Sequence, residues 1–463
     1  MTTIDCDYLV IGAGAAGLAF TDALISEADV DVVLVDRRSS SGGHWNDAYP
    51  FVRLHQPSAT YGVNSQALGT DTIDRTGANA GFYERATGVE ISAYFHDLLE
   101  RHLMPTGKVL FVPMSDYVGD LQNDHRVVSR LTSAATEVRV RRKVVDATYL
   151  ETSIPATHGR SFTADPEATV IPVGALASVA SMPAGFTILG SGKTAMDACS
   201  WLLDSGVDPD HIRWVRPREP WMVDRASVQP LDLLGATIEA FSLSVESLAQ
   251  AESVHELFAR LEACGQLLRL DDRIEPSMFR GPIVSQHELA GLRKIERVVR
   301  QGHVAHVRTD QIIMSNGNIQ TSRREVHVDC TARGLGAGPP REIFDPSRIT
   351  IQSLSGGFTT HNAALIAFVE ATRDDDAEKN RLCPPVAPPT EAMDWIAFYR
   401  STIYTTALHG AEPDIARFQD ESRLSLTRGL SQRLDDHQIY AAVERWMAHA
   451  DDALRNADRL LAV

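Results

Sequence analysis

Two glycine-rich turns are the parts of the sequence whose residue types and spacing point most clearly to chemistry. In the first, Gly12, Gly14 and Gly17 follow the apolar run YLVI in the order G-x-G-x-x-G. Such glycines permit a tight turn, a close approach of the backbone to a pyrophosphate, and close packing of a helix on a strand. The helix that begins at Ala15 and Ala16 would aim its free N–H groups at that phosphate. The first turn therefore predicts a dinucleotide site.

The residue that ends the next strand supports the same interpretation. VDVVLVD ends at Asp36, 24 residues beyond Gly12, and Arg37 follows it. A carboxylate in this position can accept a hydrogen bond from a ribose hydroxyl. The glycine pattern alone is a weak signal, whereas strand, turn, helix, second strand and terminal acid together are typical of a dinucleotide-binding unit. We predict that Asp36 and Arg37 belong to the cofactor site.

The second turn at first suggests the phosphate-binding loop of an ATPase. It consists of Gly190, Ser191, Gly192, Lys193 and Thr194. A Walker loop needs a glycine five residues before its Gly-Lys pair, and Thr187 of the strand FTIL occupies that position. The residues fit G-x-G-x-x-A instead, with Ala195 in the third place, which the dinucleotide pattern allows. The turn therefore predicts a second dinucleotide, with Ser191, Lys193 and Thr194 beside its pyrophosphate.

Two arginines suggest which dinucleotide the second unit takes. Arg216 and Arg218 lie at the end of the strand IRWV, where an NAD site has a carboxylate. Arginine can pair with a ribose 2′-phosphate, which a carboxylate would repel. The sequence therefore favours NADPH over NADH. A solvated basic loop is the alternative explanation of these two residues.

The segment after Asp36 resembles a known family. GGHW (42–45) is similar to the G-G-x-W segment of flavin-containing and Baeyer–Villiger monooxygenases, and YPFVRLHQPSATYG (49–62) is similar to the segment that follows it there. The resemblance spans most of residues 1–372, and its specific motifs lie in 8–62 and 186–218. It implies that the first unit binds FAD. It also implies that six residues lie near the isoalloxazine or ribitol: Gly43, His44, Trp45, Arg53, His55 and Gln56.

The resemblance implies an activity as well. NADPH would reduce FAD, and the reduced flavin would react with O2 to give a C4a-hydroperoxide that oxygenates a small organic substrate, with His55 and Gln56 as catalytic candidates. Baeyer–Villiger enzymes have F-x-G-x-x-x-H before the second turn and an aspartate where His55 stands, and both features are missing here. Oxygenation at nitrogen, sulfur or an activated carbon is therefore favoured over oxygenation of a ketone. For His55 and Gln56, ordinary loop residues are an equally good interpretation.

Two other functions stay open. A non-oxygenating NAD(P)H-dependent flavin reductase or dehydrogenase would use the same two cofactors, and a nucleotide-sensing protein would bind them without catalysis. The five cysteines are scattered, so the disulfide-reductase branch of such flavoproteins is excluded and no metal site is predicted.

Composition restricts the partners and the location. A net charge of -17 would repel a nucleic-acid backbone. The start lacks a basic leader, and no run approaches the roughly 20 apolar residues of a membrane span. Unpaired cysteines are typical of a reducing compartment. We expect a soluble, cytoplasmic enzyme whose partners are a small substrate and O2, with homo-oligomers compatible with the sequence.

The expected fold is α/β, with two Rossmann-like dinucleotide-binding domains for FAD and NADPH. We assign 1–150 and 326–463 to the FAD domain, and 151–325 to the NADPH domain. A helical insertion is expected at about 230–300 and a helical extension at the C-terminus. The substrate pocket would lie between the insertion and 49–62. Further predicted elements are a helix at 91–103, strands at 108–113, 125–131, 136–147 and 303–330, a helix at 363–372, and crossovers between the domains at 144–155 and 326–336.

Overall fold

A computed structural model describes residues 2–120, 124–150, 152–154, 156–332, 334–336, 338–354 and 358–462. The helices in these ranges are α1 (Ala15–Glu27), α2 (Gly88–Leu98), α3 (Lys193–Asp204), α4 (Leu234–Gln250), α5 (Val254–Ala263), α6 (Gln286–Leu292), α7 (Thr359–Thr372), α8 (Asp376–Leu382), α9 (Asp394–Gly410), α10 (Pro413–Glu421) and α11 (His437–Leu461).

The strands in the same ranges are β1 (Thr2–Ile11), β2 (Val32–Val35), β3 (Val109–Val112), β4 (Ser115–Gly119), β5 (His125–Ser129), β6 (Ala135–Asp146), β7 (Thr152–Ser153), β8 (Thr163–Ala164), β9 (Val170–Pro172), β10 (Gly185–Leu189), β11 (Ile212–Val215), β12 (Pro220–Asp224), β13 (Leu267–Leu268), β14 (Met278–Val284), β15 (Val298–Val299), β16 (Val304–Val307), β17 (Gln311–Met314), β18 (Gly317–Gln320), β19 (Glu325–Asp329), β20 (Gly334–Leu335) and β21 (Arg348–Thr350).

The first unit is a sheet in the order β3-β2-β1-β6-β5-β4. Strands β3, β2, β1 and β6 are parallel, and β21 adds to the end of β6. All four residues of β2 (VVLV) are buried, as expected for a parallel strand covered on both faces. Helices α1 and α7 pack against each other on this sheet. The glycine turn between β1 and α1 therefore opens at the carboxyl ends of the parallel strands.

The second unit repeats this arrangement. Its sheet has the order β15-β11-β10-β19-β9, and every pairing in it is parallel. Strand β10 runs into the second glycine turn and α3, as β1 does in the first unit. The crossover predicted at 144–155 follows β6, and the one predicted at 326–336 follows β19. Strands β7 and β20 of the two crossovers pair with each other in antiparallel fashion.

The region 230–300 is only partly helical, which corrects the expectation of a helical insertion. Helices α4, α5 and α6 lie in it, but β13 and β14 join β12 in a three-stranded sheet. Within this region, the amphipathic pattern VHELFARLEACGQLLRL (254–270) forms a helix only as far as α5, because Gly265 takes a left-handed φ of +76°. The leucines after it, 267 and 268, then enter the sheet as β13.

The helical C-terminal extension is confirmed, and so is the α/β fold class with its two Rossmann-like units. Helix α11 packs along α4 and against α9, so the extension covers the region after β12. Aromatic rings contribute to this contact, with Phe241 of α4 edge-on to Trp446 of α11 at 4.9 Å between ring centroids. Among the helices in the described ranges, none has the length and apolar character that crossing a membrane requires.

The other predicted elements are found with small shifts. The helix predicted at 91–103 begins earlier, at Gly88, because the preceding residue Thr87 forms a reciprocal capping box with Glu90. The helix predicted at 363–372 begins at Thr359. The strands predicted at 108–113, 125–131 and 136–147 correspond to β3, β5 and β6.

Candidate functional site

The first glycine turn is held by contacts that leave no room for side chains. Gly12 has a φ of +101°, which favours glycine. A Cβ on Gly17 would lie 2.0 Å from the carbonyl oxygen of Gly12, and a Cβ on Gly43 would lie 2.9 Å from the Cα of Gly14. Gly14 precedes α1, and no described side chain caps that helix. The N–H groups around Ala15 and Ala16 thus stay available to a phosphate.

Asp36 holds this turn from the end of β2. Its Oδ2 accepts a hydrogen bond of 2.7 Å from the N–H of Ala13, and its Oδ1 accepts one of 2.8 Å from the N–H of Arg38. The side chain is buried, whereas Arg37 is exposed. A contact between Asp36 and a ribose stays a prediction, as does one from Arg37.

The GGHW loop lies against the same turn. Trp45 donates a hydrogen bond of 2.8 Å from Nε1 to the hydroxyl of Tyr61, and its ring lies 5.0 Å from that of His44. Burial and the nearby Arg38 lower the pKa of His44 to about 4, so His44 is neutral at pH 7. The loop and the segment 49–62 are thus joined by Trp45 and Tyr61.

The start of α7 supplies polar groups that fit a bound cofactor. The hydroxyl of Thr360, Nε2 of His361 and Nδ2 of Asn362 are buried and have no hydrogen-bond partner among the described residues. Buried polar groups normally have partners, so these three neighbouring groups are ones that a bound cofactor could satisfy. Since α7 packs on α1, this cluster fits a flavin whose pyrophosphate lies at the first turn.

The second turn repeats the geometry of the first. Gly190 has a φ of +127°, and a Cβ on it would lie 2.7 Å from the carbonyl oxygen of Cys330. Its N–H donates to the carbonyl of Val215 at 3.0 Å, just as the N–H of Gly12 donates to Val35 at 2.8 Å. Gly192 precedes α3, has no side-chain cap among the described residues, and would place a Cβ in open space. This turn also fits a dinucleotide phosphate.

Lys193 forms an ion pair with a residue one turn further along α3. Its ammonium pairs with the carboxylate of Asp197, which also accepts a hydrogen bond of 2.7 Å from the hydroxyl of Tyr49. The side chain of Thr194 lies close to the hydroxyl of Tyr49, and Ser191 is buried. Tyr49 belongs to the first unit and Asp197 to the second, so the segment 49–62 connects the two turns.

The two arginines after β11 differ in their surroundings. Arg216 is buried, pairs with Glu219 at 3.2 Å, and lies 4.9 Å from the ring centroid of Trp214. Burial lowers its pKa to about 10. Arg218 is partly exposed, and its Nη1 lies 2.5 Å from Oε1 of Glu391. Arg216 therefore packs inside the unit, whereas Arg218 is the more accessible of the two, and a contact of either residue with a 2′-phosphate stays a prediction.

The structure gives the two catalytic candidates, His55 and Gln56, and the predicted cofactor residue Arg53 different surroundings. The amide of Gln56 donates to the carbonyl of Thr60 at 2.9 Å, within its own turn. Arg53 is exposed and donates to the carbonyl of Arg85 at 3.1 Å. His55 is half-buried, and burial together with the nearby Lys193 lowers its pKa to about 3. His55 is therefore neutral at pH 7, while the roles of all three stay predictions.

Sequence reasoning missed a buried pair of arginines beside His55. Arg85 and Arg225 both face Glu288, and all three come from distant parts of the chain. Around Glu288 the sequence signals only a helix start, the capping box S-Q-H-E. In the described part of the chain, no three His, Cys, Asp or Glu side chains converge as metal ligands would.

Comparison with known proteins supports the fold. Residues 10–65 match the model of an NAD(P)-binding Rossmann-like domain. The open crystal structure of cyclohexanone monooxygenase matches with a TM-score of 0.50 and 13% identity, over 82% of this chain and 92% of that chain. A cyclohexanone monooxygenase variant from Rhodococcus sp. Phi1 bound to NADP+ matches with a TM-score of 0.50 and 13% identity, over 80% of this chain and 86% of that one. These similarities confirm the expected fold.

Mycobacterial proteins are similar in sequence. The uncharacterized protein Rv2000 of Mycobacterium tuberculosis is 41% identical over 435 residues, which is 92% of this chain and 79% of the relative. The uncharacterized protein Mb2023 of Mycobacterium bovis gives the same values. The chain therefore belongs to the family of these mycobacterial proteins, and its fold is similar to that of cyclohexanone monooxygenase.

Proposed function

We propose that the protein is an FAD-dependent oxidoreductase that uses NADPH, and that it is a monooxygenase acting on a small organic substrate. One observation carries this proposal. Two glycine turns of matching geometry open at the starts of α1 and α3, and Tyr49 connects them through Asp197. Two dinucleotides bound at these turns would lie on either side of the segment 49–62. The fold of cyclohexanone monooxygenase, also seen with NADP+ bound, supports the same function.

The residues of this chain have distinct tasks in the proposal. Gly14 and Gly192 admit the two pyrophosphates to the helix starts. When bound, the flavin supplies hydride acceptance and O2 activation, and the protein supplies orientation and exclusion of water. Neutral His55 can donate one hydrogen bond and accept another, but with a pKa of about 3 it carries no imidazolium charge at pH 7 and is a poor general acid. We therefore assign His55 to orientation.

The substrate atom is a further part of the proposal. A neutral histidine stands where ketone-oxygenating relatives of this fold, by the resemblance described above, have an aspartate. We propose that the oxygenated atom is nitrogen, sulfur or an activated carbon. NADPH is preferred because Arg218 can exchange the carboxylate of Glu391 for a 2′-phosphate.

Three measurements on the purified protein test the proposal. Bound flavin is identified after denaturation, oxidation of NADPH and NADH is compared, and the reduced protein is mixed rapidly with O2. We expect FAD, a preference for NADPH, and a transient spectral species before oxidised flavin returns. Direct return to oxidised flavin with release of H2O2 would instead identify a reductase, and protein that takes up no flavin would contradict both enzymatic functions.

A further inference from the structure

A group of buried charges lies beside His55, between the two glycine turns. Its cations are Arg85, Arg225 and Lys193, and its carboxylates are Glu288 and Asp197; we call these five residues the charged cluster. Their side chains are between 0% and 16% exposed. Such burial removes most of the hydration that charges have in water, so each charge needs a partner inside the protein.

Glu288 is shared unequally between the two arginines. Its Oε2 lies 2.6 Å from Nη2 of Arg225, and it also accepts a hydrogen bond of 2.8 Å from the N–H of Ser285. Its Oε1 lies 3.5 Å from Nη2 of Arg85, beyond a good charged hydrogen bond. Burial would raise the pKa of Glu288, but Lys193, Arg225 and Arg85 hold it at about 2. Glu288 therefore compensates Arg225 and leaves Arg85 short of an acceptor.

Several guanidinium donors in the cluster have no partner. Within the described residues, nothing accepts a hydrogen bond from Nε of Arg85 or from Nε and Nη1 of Arg225. Arg85 donates one bond, of 3.2 Å, to the carbonyl of Leu54, next to His55. Asp224, which precedes Arg225 in sequence, accepts hydrogen bonds from the N–H of Ala226 and the amide of Gln286. A buried donor without an acceptor destabilises a protein. An anion bound by the functioning protein would supply the acceptors that these donors lack.

We propose that Arg85, supported by Arg225, binds a carboxylate of the substrate beside His55. This inference rests on the proposed function and narrows its substrate class to organic acids. The phosphates of the dinucleotides are assigned to the helix starts, whereas Arg85 belongs to the stretch that follows 49–62 in the first unit. Lys193 is paired with Asp197, so Arg85 is the cation with the least compensation.

The test compares benzoate with benzamide, its neutral isostere, on the FAD-bound protein by calorimetry. We expect benzoate to bind and benzamide to bind at least about tenfold more weakly, since a charged hydrogen bond is lost. Arg85→Gln should weaken benzoate about tenfold. Arg75→Gln, the same change at an exposed arginine nearby, should leave benzoate binding unchanged.

We expect Glu288→Gln to change the affinity for benzoate in the direction opposite to Arg85→Gln. Glutamine keeps the capping box but removes the charge that competes for the arginines, so benzoate should bind several-fold more tightly. This variant keeps the proposal testable if Arg85→Gln does not fold. Equal affinities for benzoate and benzamide, or no gain in Glu288→Gln, would overturn the proposal.

A parallel titration with NADP+ separates the two sources of an anion. We expect Arg85→Gln to leave the affinity for NADP+ unchanged. If NADP+ weakens about tenfold and benzoate does not, the cluster binds a dinucleotide phosphate and the substrate assignment is wrong. Absence of FAD from the wild-type protein would contradict the proposed function instead, independently of the benzoate result.

Discussion

At the scale of single residues, Arg216 and Arg218 show how burial divides a pair that looks equivalent in sequence. Arg216 is enclosed by Glu219 and the ring of Trp214. Removing it would leave Glu219 with less compensation in a buried place, so Arg216→Ala is expected to destabilise the protein. Replacing both arginines would therefore lower stability and change nucleotide affinity together. Replacing Arg218 alone separates the two effects.

We expect Arg218→Ala to weaken NADPH by about tenfold while changing NADH little, because a charged hydrogen bond to a phosphate contributes about 1.5–3 kcal/mol. The measurement is the KM for each nucleotide in steady-state oxidation. Glu391→Gln is the matched control, since it frees Arg218 from its carboxylate partner and should lower the KM for NADPH. Equal changes for both nucleotides in Arg218→Ala would contradict the 2′-phosphate assignment.

At the scale of elements, the two glycine turns contain glycines with opposite requirements. A Cβ at position 17 would lie 2.0 Å from the carbonyl oxygen of Gly12, so α1 could not keep its place on β1. A Cβ at position 192 would meet no atom within 4 Å, and Gly192 has an ordinary φ of -80°. The fold needs the first glycine, whereas no described atom of the protein prevents a side chain at the second, so we propose that its role is to admit a ligand.

This difference predicts two separable phenotypes. Gly17→Ala should lower the melting temperature and the FAD content together. Gly192→Ala should leave the melting temperature and the FAD content as in the wild type, but weaken NADP+ about tenfold because a methyl group would occupy the approach to the pyrophosphate. Circular dichroism, flavin absorbance and an NADP+ titration measure these quantities. Unchanged NADP+ affinity in Gly192→Ala would show that the second dinucleotide does not bind at this turn.

At the scale of the whole molecule, the sequence predicted what local signals determine. Both strand–turn–helix units and the C-terminal helices follow from glycine spacing and apolar periodicity, whereas the connection that Tyr49 of 49–62 makes to Asp197 was not predicted. The sheet containing β13 and β14 was missed because two leucines after Gly265 continue a helical pattern in sequence. The charged cluster was missed because Arg85, Arg225 and Glu288 meet only through tertiary packing, which leaves no periodic signal.

Packing also sets how the molecule responds to acid. His361 is buried at the start of α7, and burial with the nearby His409 lowers its pKa to about 4. In the unfolded chain a histidine has a pKa of about 6.5, so between these values the unfolded state binds a proton that the folded state does not. The free energy of unfolding therefore falls as the pH decreases from about 6.5 to 4.

The contribution of His361 to this fall should be measurable in the holoenzyme. At pH 5 it amounts to about 2 kcal/mol, and it is absent above pH 7. Urea unfolding of the wild type and of His361→Gln between pH 7.5 and 5 checks this, since the variant should lose less stability over that range. His96→Gln replaces an exposed histidine and should follow the wild type. If His361→Gln and the wild type have parallel pH profiles, the buried histidine is not neutral in the folded protein, and α7 must offer it an acceptor.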